Sequence, residues 1–213
     1  MNIIFKIENK KNKNIDISKL LINDLEIRLQ ENDTYYLFRK EMSCVYFEVE
    51  HKKNEYNINV FKLSTSNDWK LVLAFMSNLS ALLQSDITVK DTNEKYNFST
   101  IAEFNYSKII IDTLKNIVGD IKIKYIIRNV FLSTELIEKI LNEDDPIDYF
   151  DRLIFRIQYA AIENAPLEYY TTEKNINVGI YYLDVDNKHI INFNPYIDDT
   201  IHHYYINLID NLS

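Results

Sequence analysis

The residues best suited to bind a metal ion lie near the end of the chain, where two histidines follow two aspartates. If this segment is helical, Asp198 lies one turn before His202, and Asp199 lies one turn before His203. Either pair offers ligands that zinc takes, and His189 could join from a neighbouring strand. A capped amphipathic helix has the same sequence without a metal, and it points adjacent histidines in different directions. We therefore predict no metal ligands, and His189, Asp198, His202 and His203 are the candidates if one binds.

An acid–base group is a second chemical possibility, at the end of a predicted strand. Glu48, Glu50 and His51 could transfer protons if their side chains met in a cleft. Alternating charges on an antiparallel strand give the same pattern, because one face of such a sheet is often open to water. The pattern favours an exposed strand face over a catalytic group.

The densest charge in the chain is acidic and covers residues 143–151. On one helix, Asp144, Asp148 and Asp151 would share a face and could bind a hard cation. Helix capping explains the cluster better, because Asp145 stands directly before a proline and acidic side chains favour the positive end of a helix. We predict a helix start here and no cation site.

Scarcity of glycine and cysteine excludes several kinds of site. The chain has two glycines, Gly119 and Gly179. Phosphate loops, dinucleotide-binding turns and nucleophile elbows all need closely spaced glycines, so none of these motifs is present and we predict no cofactor. Cys44 is the only cysteine, which excludes an intrachain disulfide and a multi-cysteine metal site. Its apolar neighbours predict a buried, unreactive thiol.

Apolar residues that alternate with polar ones predict strands. A first strand is expected over residues 3–7, and an antiparallel meander from Asp24 to Leu63. Further strands are expected as a hairpin over 86–98, at 121–126, and as a pair over 176–182 and 190–193.

Helical spacing of apolar residues predicts the helices. They are expected over residues 67–84, 106–118 and 146–163, and a further one should begin at Thr134. Gly119 is expected to end the second of these. Residues 200–212 could form a helix or a strand, and the spacing of their apolar residues favours a helix. The predicted fold class is α+β, an antiparallel sheet with amphipathic helices packed on it.

Residues 1–213 are expected to form a single globular domain, with a candidate subdomain boundary near 119–133. The longest apolar run, Leu71 to Met76, is far too short to span a membrane. Early charges in the N-terminal segment argue against a signal peptide. We expect a cytoplasmic protein.

One segment of the chain resembles a known family. Strands that end at Leu63 are followed by Ser64-Thr65-Ser66-Asn67-Asp68-Trp69, which opens a helix, and then by Ile87-Thr88. Over about residues 40–110 this resembles an uncharacterised bacterial family known only as a domain of unknown function. The resemblance implies an accessory bacterial protein and no functional residues. The acidic α+β character is also similar to that of bacterial immunity proteins, which neutralise a toxin by binding it.

Two functions remain open. The first is a non-enzymatic protein that binds a protein partner, a basic one because the net charge is −8. Paired tyrosines, a residue type enriched at protein interfaces, occur at Tyr169-Tyr170, Tyr181-Tyr182 and Tyr204-Tyr205. The second is a hydrolase, metal-dependent or acid–base, that uses the histidines and neighbouring carboxylates.

Charge also predicts how the protein behaves toward nucleic acid. Lys10, Lys11 and Lys13 form a local basic cluster, so the rest of the chain is more acidic than the total of −8 suggests. We expect no DNA or RNA binding in a filter assay at about 150 mM salt, because phosphate contacts supply most non-specific affinity. Micromolar binding that weakens steeply with added salt would contradict this expectation.

Overall fold

The structure is a computed structural model. It describes residues 1–10, 13, 15–17, 20, 25–30, 34–52, 54–159, 163–164, 167–184, 189–190 and 203–209. The predicted α+β class is confirmed, because a large antiparallel sheet is combined with four helices in these residues.

The first unit of the chain contains nine strands and the helices. The strands are β1 (Asn2–Glu8), β2 (Leu25–Gln30), β3 (Thr34–Arg39), β4 (Phe47–Lys52), β5 (Glu55–Phe61), β6 (Ile87–Val89), β7 (Lys95–Tyr96), β8 (Ile121–Lys124) and β9 (Asn129–Leu132). The helices are α1 (Ser66–Leu83), α2 (Tyr106–Lys115), α3 (Thr134–Leu141) and α4 (Pro146–Tyr159). Both counts refer to the described residues.

Seven strands form the main sheet, in the order β2-β3-β4-β5-β1-β6-β7, and every neighbouring pair is antiparallel. The meander predicted before Leu63 is therefore confirmed, and β1 lies between its last strand and the β6–β7 hairpin. Within β1, Ile3, Phe5 and Ile7 are buried and alternate with more exposed residues. One face of the sheet is thus part of the core. The hairpin of β8 and β9 is a separate two-stranded sheet.

Helix α1 belongs to the same core as the inner face of the main sheet. The ring of Phe75 lies 5.4 Å from that of Phe47 on β4, and the Trp69 ring lies 6.5 Å from that of Phe5 on β1. The rings of Phe104 and Tyr106 also lie beside Trp69, with centroids 5.7 and 6.1 Å from its own. Trp69 has no exposed surface, as its place on the apolar helix face predicts.

The chain divides into two compact units, 1–159 and 160–213. The candidate boundary near 119–133 lies inside the first unit, and the single-domain expectation stays a prediction. The described strands of the second unit are β10 (Glu163–Asn164), β11 (Leu167–Thr171), β12 (Asn177–Asp184), β13 (His189–Ile190) and β14 (His203–Ile209). Here β12 is the central strand, antiparallel to β11 and parallel to β14.

Two predictions for the second unit are wrong. Residues 203–209 form a strand instead of a helix, because pairing with β12 overrides the local helical spacing of their apolar residues. The predicted pairing of residues 176–182 with residues 190–193 is also wrong. The described residue of the latter segment, Ile190, belongs to β13, which pairs in parallel with β10.

Two helix ends also differ from prediction. Helix α2 ends at Lys115, with Asn116 as its cap, so Gly119 is not the capping residue. Gly119 instead has a φ of +75° in the connection to β8, a left-handed conformation that glycine adopts without strain. Helix α4, predicted to reach residue 163, ends before Glu163, because strand β10 begins there.

A membrane-spanning helix needs about twenty consecutive apolar residues. None of the four helices in the described part of the chain meets this requirement.

Replacing Trp69 with Ala should lower the free energy of unfolding by about 3–5 kcal/mol, the usual loss for a large core aromatic. The cause is the cavity left among Phe5, Phe104 and Tyr106. Urea denaturation measures the change. Val118→Ala is the control, because Val118 is 96% exposed and should change stability by less than about 0.5 kcal/mol. A loss below about 1 kcal/mol for Trp69→Ala would contradict the packing described.

Candidate functional site

A buried carboxylate organises the first turn of α1. Asp68 is 5% exposed, and its Oδ2 accepts hydrogen bonds from the Thr65 hydroxyl at 2.7 Å and the Thr65 backbone N–H at 3.3 Å. The Asp68 N–H donates back to the Thr65 hydroxyl, which completes a capping box. The N–H of Cys44 donates to both carboxylate oxygens, at 3.2 and 3.3 Å. One side chain therefore joins α1 to the connection between β3 and β4.

Three further polar side chains surround this carboxylate. The hydroxyl of Tyr125 donates to the Leu63 carbonyl, and that of Tyr159 donates to the Ser43 carbonyl. Burial raises the pKa of Tyr159 to about 12 and that of Tyr125 well above its ordinary value. Burial and the nearby Asp68 raise the pKa of the Cys44 thiol. The thiol therefore stays protonated, as expected for a buried and unreactive cysteine.

Burial also raises the pKa of Asp68, to about 7, although its hydrogen bonds act in the opposite direction. The charge of Asp68 in turn helps to raise the pKa of Cys44, Tyr125 and Tyr159. At neutral pH the Asp68 carboxyl is therefore close to half protonated.

Asp151 lies at the edge of this network and lines a surface pocket of about 360 Å³. Its Oδ1 accepts the Ser66 N–H at 3.0 Å, and burial raises its pKa. Arg152, Phe155 and Arg156 on α4 line the same pocket. Arg152 pairs with Asp148 at 2.8 Å. Asp151 therefore satisfies a backbone N–H at the start of α1.

The rest of the acidic cluster at 143–151 behaves as a helix start. The Asp148 N–H donates to Asp145 Oδ1 at 3.0 Å, so Asp145 caps α4 as the sequence predicts. The sequence does not reveal the role of Asp151, because its partner, Ser66, is distant along the chain.

Strand alternation separates the residues of the possible acid–base group. Glu48 and Glu50 lie on the outer face of β4, where they accept hydrogen bonds from Asn59 and Asn57. His51 lies on the opposite face and stacks on Tyr56, with ring centroids 4.4 Å apart. The three side chains do not converge.

The predicted metal candidates are only partly within the described residues. His203 is exposed at the start of β14, and His189 begins β13. Asp198 and His202 lie outside the described residues. In the part of the chain that the structure describes, no three histidine, cysteine or acidic residues are grouped so that they could hold a metal ion.

The second unit has an acidic composition and exposes aromatic side chains. Residues 160–213 contain eight acidic and two basic residues, a net charge of −6 out of the total of −8. On the outer strands of its three-stranded sheet, Tyr169, Tyr170 and Tyr205 are 44–56% exposed, and Ile206 is 48% exposed. Adjacent strand residues point to opposite faces, so both faces of the sheet expose large side chains.

Comparison with known proteins gives one match. A family model described as a domain of unknown function (DUF4299) matches residues 3–208. This confirms the resemblance drawn from residues 40–110 and extends it over nearly the whole chain. No curated protein and no solved structure matches the sequence.

The raised pKa of Asp68 predicts a pH-dependent stability. The folded-state pKa of about 7 lies above the ordinary aspartate pKa of 3.8. The stability that Asp68 contributes is therefore full below the unfolded-state pKa and is lost as the pH rises through 7. From pH 5 to pH 8, the unfolding free energy of the wild type should therefore fall more than that of Asp68→Asn, by about 1 kcal/mol or more. Urea denaturation at several pH values measures this.

Asp151→Asn is the matched variant, since Asp151 is less buried and its pKa is raised less. It should leave most of the pH dependence in place. Parallel pH profiles for the wild type and Asp68→Asn would contradict the assignment to Asp68.

Proposed function

We propose that this chain, which belongs to the DUF4299 family, is a bacterial cytoplasmic protein that acts by binding a basic protein partner. The role is that of an accessory or immunity-like protein, without catalysis. The observation that carries the proposal is the second unit, in which a net charge of −6 coincides with exposed tyrosines.

Charge supports a basic partner. The first unit, residues 1–159, carries only −2 of the net charge, so the acidic field belongs mainly to the other 54 residues. An acidic surface attracts a basic protein over several ångströms and speeds its association. Glu168 and Glu173 are exposed there and available to such a partner.

The exposed rings supply the other component of a binding surface. Tyrosine buries a large apolar area at low entropic cost and keeps a hydroxyl for hydrogen bonds, which explains its enrichment at interfaces. The Tyr170 hydroxyl already contacts Glu168 and the Tyr182 hydroxyl. These contacts hold the ring of Tyr170 in place, so less side-chain freedom is lost on binding.

The test isolates the partner and then measures its complex. The tagged chain is expressed in the cell of origin, with a photo-crosslinking residue at Tyr169 or Tyr205, and with one at the exposed Phe98 of the first unit as control. We expect a stoichiometric basic protein to crosslink at the two tyrosine positions. The purified complex should weaken as salt is raised, because exposed charges are screened.

Matched variants locate the surface. Glu168→Gln with Glu173→Gln, and Tyr169→Ser with Tyr205→Ser, should each weaken binding about tenfold, or roughly 1.4 kcal/mol. The controls remove similar groups from the first unit, where Asp91, Glu103 and Phe98 are exposed. Asp91→Asn with Glu103→Gln, and Phe98→Ser, should change the affinity less than about twofold. The proposal fails if no stoichiometric partner is found, or if both sets of variants bind equally well.

A further inference from the structure

A small pocket lies beside the outer face of the main sheet. Its volume is about 160 Å³, and its lining comes from β1, from β4 and the two residues before it, from β5, and from the end of β8 and the two residues after it. Glu48 and Asn59 supply acceptor groups, and Tyr46, Phe61 and Tyr125 supply aromatic rings. All of these residues belong to the first unit.

The polar side of the pocket has an acceptor without a donor. Asn59 Nδ2 donates to Glu48 Oε2 at 2.9 Å, which fixes the orientation of the amide. Its Oδ1 is buried and has no hydrogen-bond partner among the described residues. An unsatisfied buried acceptor is unfavourable, so a donor that reached it would stabilise the site. The Glu48 carboxylate also hydrogen-bonds the Tyr36 hydroxyl. The site therefore combines an oriented negative charge with the neighbouring acceptor Asn59 Oδ1.

The same arrangement is repeated one pair further along the strands. Asn57 is 5% exposed, and its Nδ2 donates to Glu50 and Glu55. Its Oδ1 is again buried, and no described group donates a hydrogen bond to it. The cross-strand pairs Glu48–Asn59 and Glu50–Asn57 therefore present a row of acceptors on the outer face.

The aromatic side of the pocket is held by ring contacts. Tyr46 is 43% exposed and meets Tyr36 edge to face, with centroids 4.5 Å apart. Phe61 and Tyr125 meet in the same way at 6.2 Å. Aromatic faces beside a carboxylate attract organic cations through the ring quadrupole as well as the charge.

We propose that this pocket receives the guanidinium group of an arginine side chain from a protein partner. Guanidinium is planar, stacks on aromatic rings and carries five N–H donors in a fork. It can donate to the Glu48 carboxylate while lying against Tyr46, and also to Asn59 Oδ1 after a small movement of that side chain, because Oδ1 is buried. The proposal rests on the proposed function in one respect, that the partner is basic.

Lys124 also lines the pocket, and it is exposed. Its ammonium repels an incoming cation and limits the affinity for a free small molecule. When the arginine belongs to a protein partner, the contacts that the rest of the partner makes would compensate for this repulsion. Replacing Lys124 with a neutral residue should therefore strengthen the binding of a small cationic probe.

The test uses Nα-acetyl-arginine amide as the probe and the full chain as the receptor, followed by NMR chemical shifts. Saturable binding in the millimolar range should shift resonances of Tyr46 and its neighbours. Glu48→Gln should weaken binding about tenfold, because the charge-assisted hydrogen bond is lost. Lys124→Gln should strengthen it about threefold. Glu103→Gln is the control and should change nothing, since Glu103 is exposed in the 3-10 turn at Ile101–Glu103.

Related probes decide whether the guanidinium itself is recognised. Nα-acetyl-citrulline amide has the same shape without the charge and should not bind. Nα-acetyl-lysine amide should bind several times more weakly. Equal binding of the lysine and arginine probes, or binding that Glu48→Gln leaves unchanged, overturns the proposal. The outcome is independent of whether a partner is recovered from cells, so failure of this proposal is distinguishable from failure of the proposed function.

Discussion

The start of α1 imposes the constraint on which the first unit depends. The helix is buried on most of its surface, so its unpaired N–H groups lie close to the core and need acceptors there. Thr65 and Asp68 supply two, and Asp151 on α4 supplies a third. Because Asp68 also accepts the Cys44 N–H, the cap joins the sheet to the helices. A change at this point would disturb three elements together.

Local sequence patterns predict the parts of this arrangement that are local. The alternation in β1 and the meander predicts which residues are buried, and the spacing from Thr65 to Asp68 is that of a capping box. The capping role of Asp145 can be predicted for the same reason, because its partner, the Asp148 N–H, is three residues away. The end of α2 at Lys115 is harder to predict, because neither Asn116 nor Gly119 by itself determines where the helix stops.

The remaining contacts join residues that are far apart in sequence, and no periodic pattern records them. Asp68 meets Cys44 over 24 positions, and Asp151 meets Ser66 over 85. The parallel pairing of β12 with β14 is also long-range, so residues 203–209 keep a spacing that suits a helix while forming a strand. The pocket at Asn59 has the same origin, since it needs β5 and the end of β8 side by side.

The unequal charge of the two units is the feature of this architecture that bears on the proposed binding of a basic partner. A first unit that carries −2 over 159 residues is nearly neutral and contains the large core, whereas the 54 residues of the second unit carry −6. Like charges so concentrated repel one another and work against a compact state. A basic partner would reduce that repulsion as it binds. Association would therefore stabilise the second unit as well as cover its exposed surface. The exposed tyrosines fit this view, because their rings keep apolar area available without adding charge.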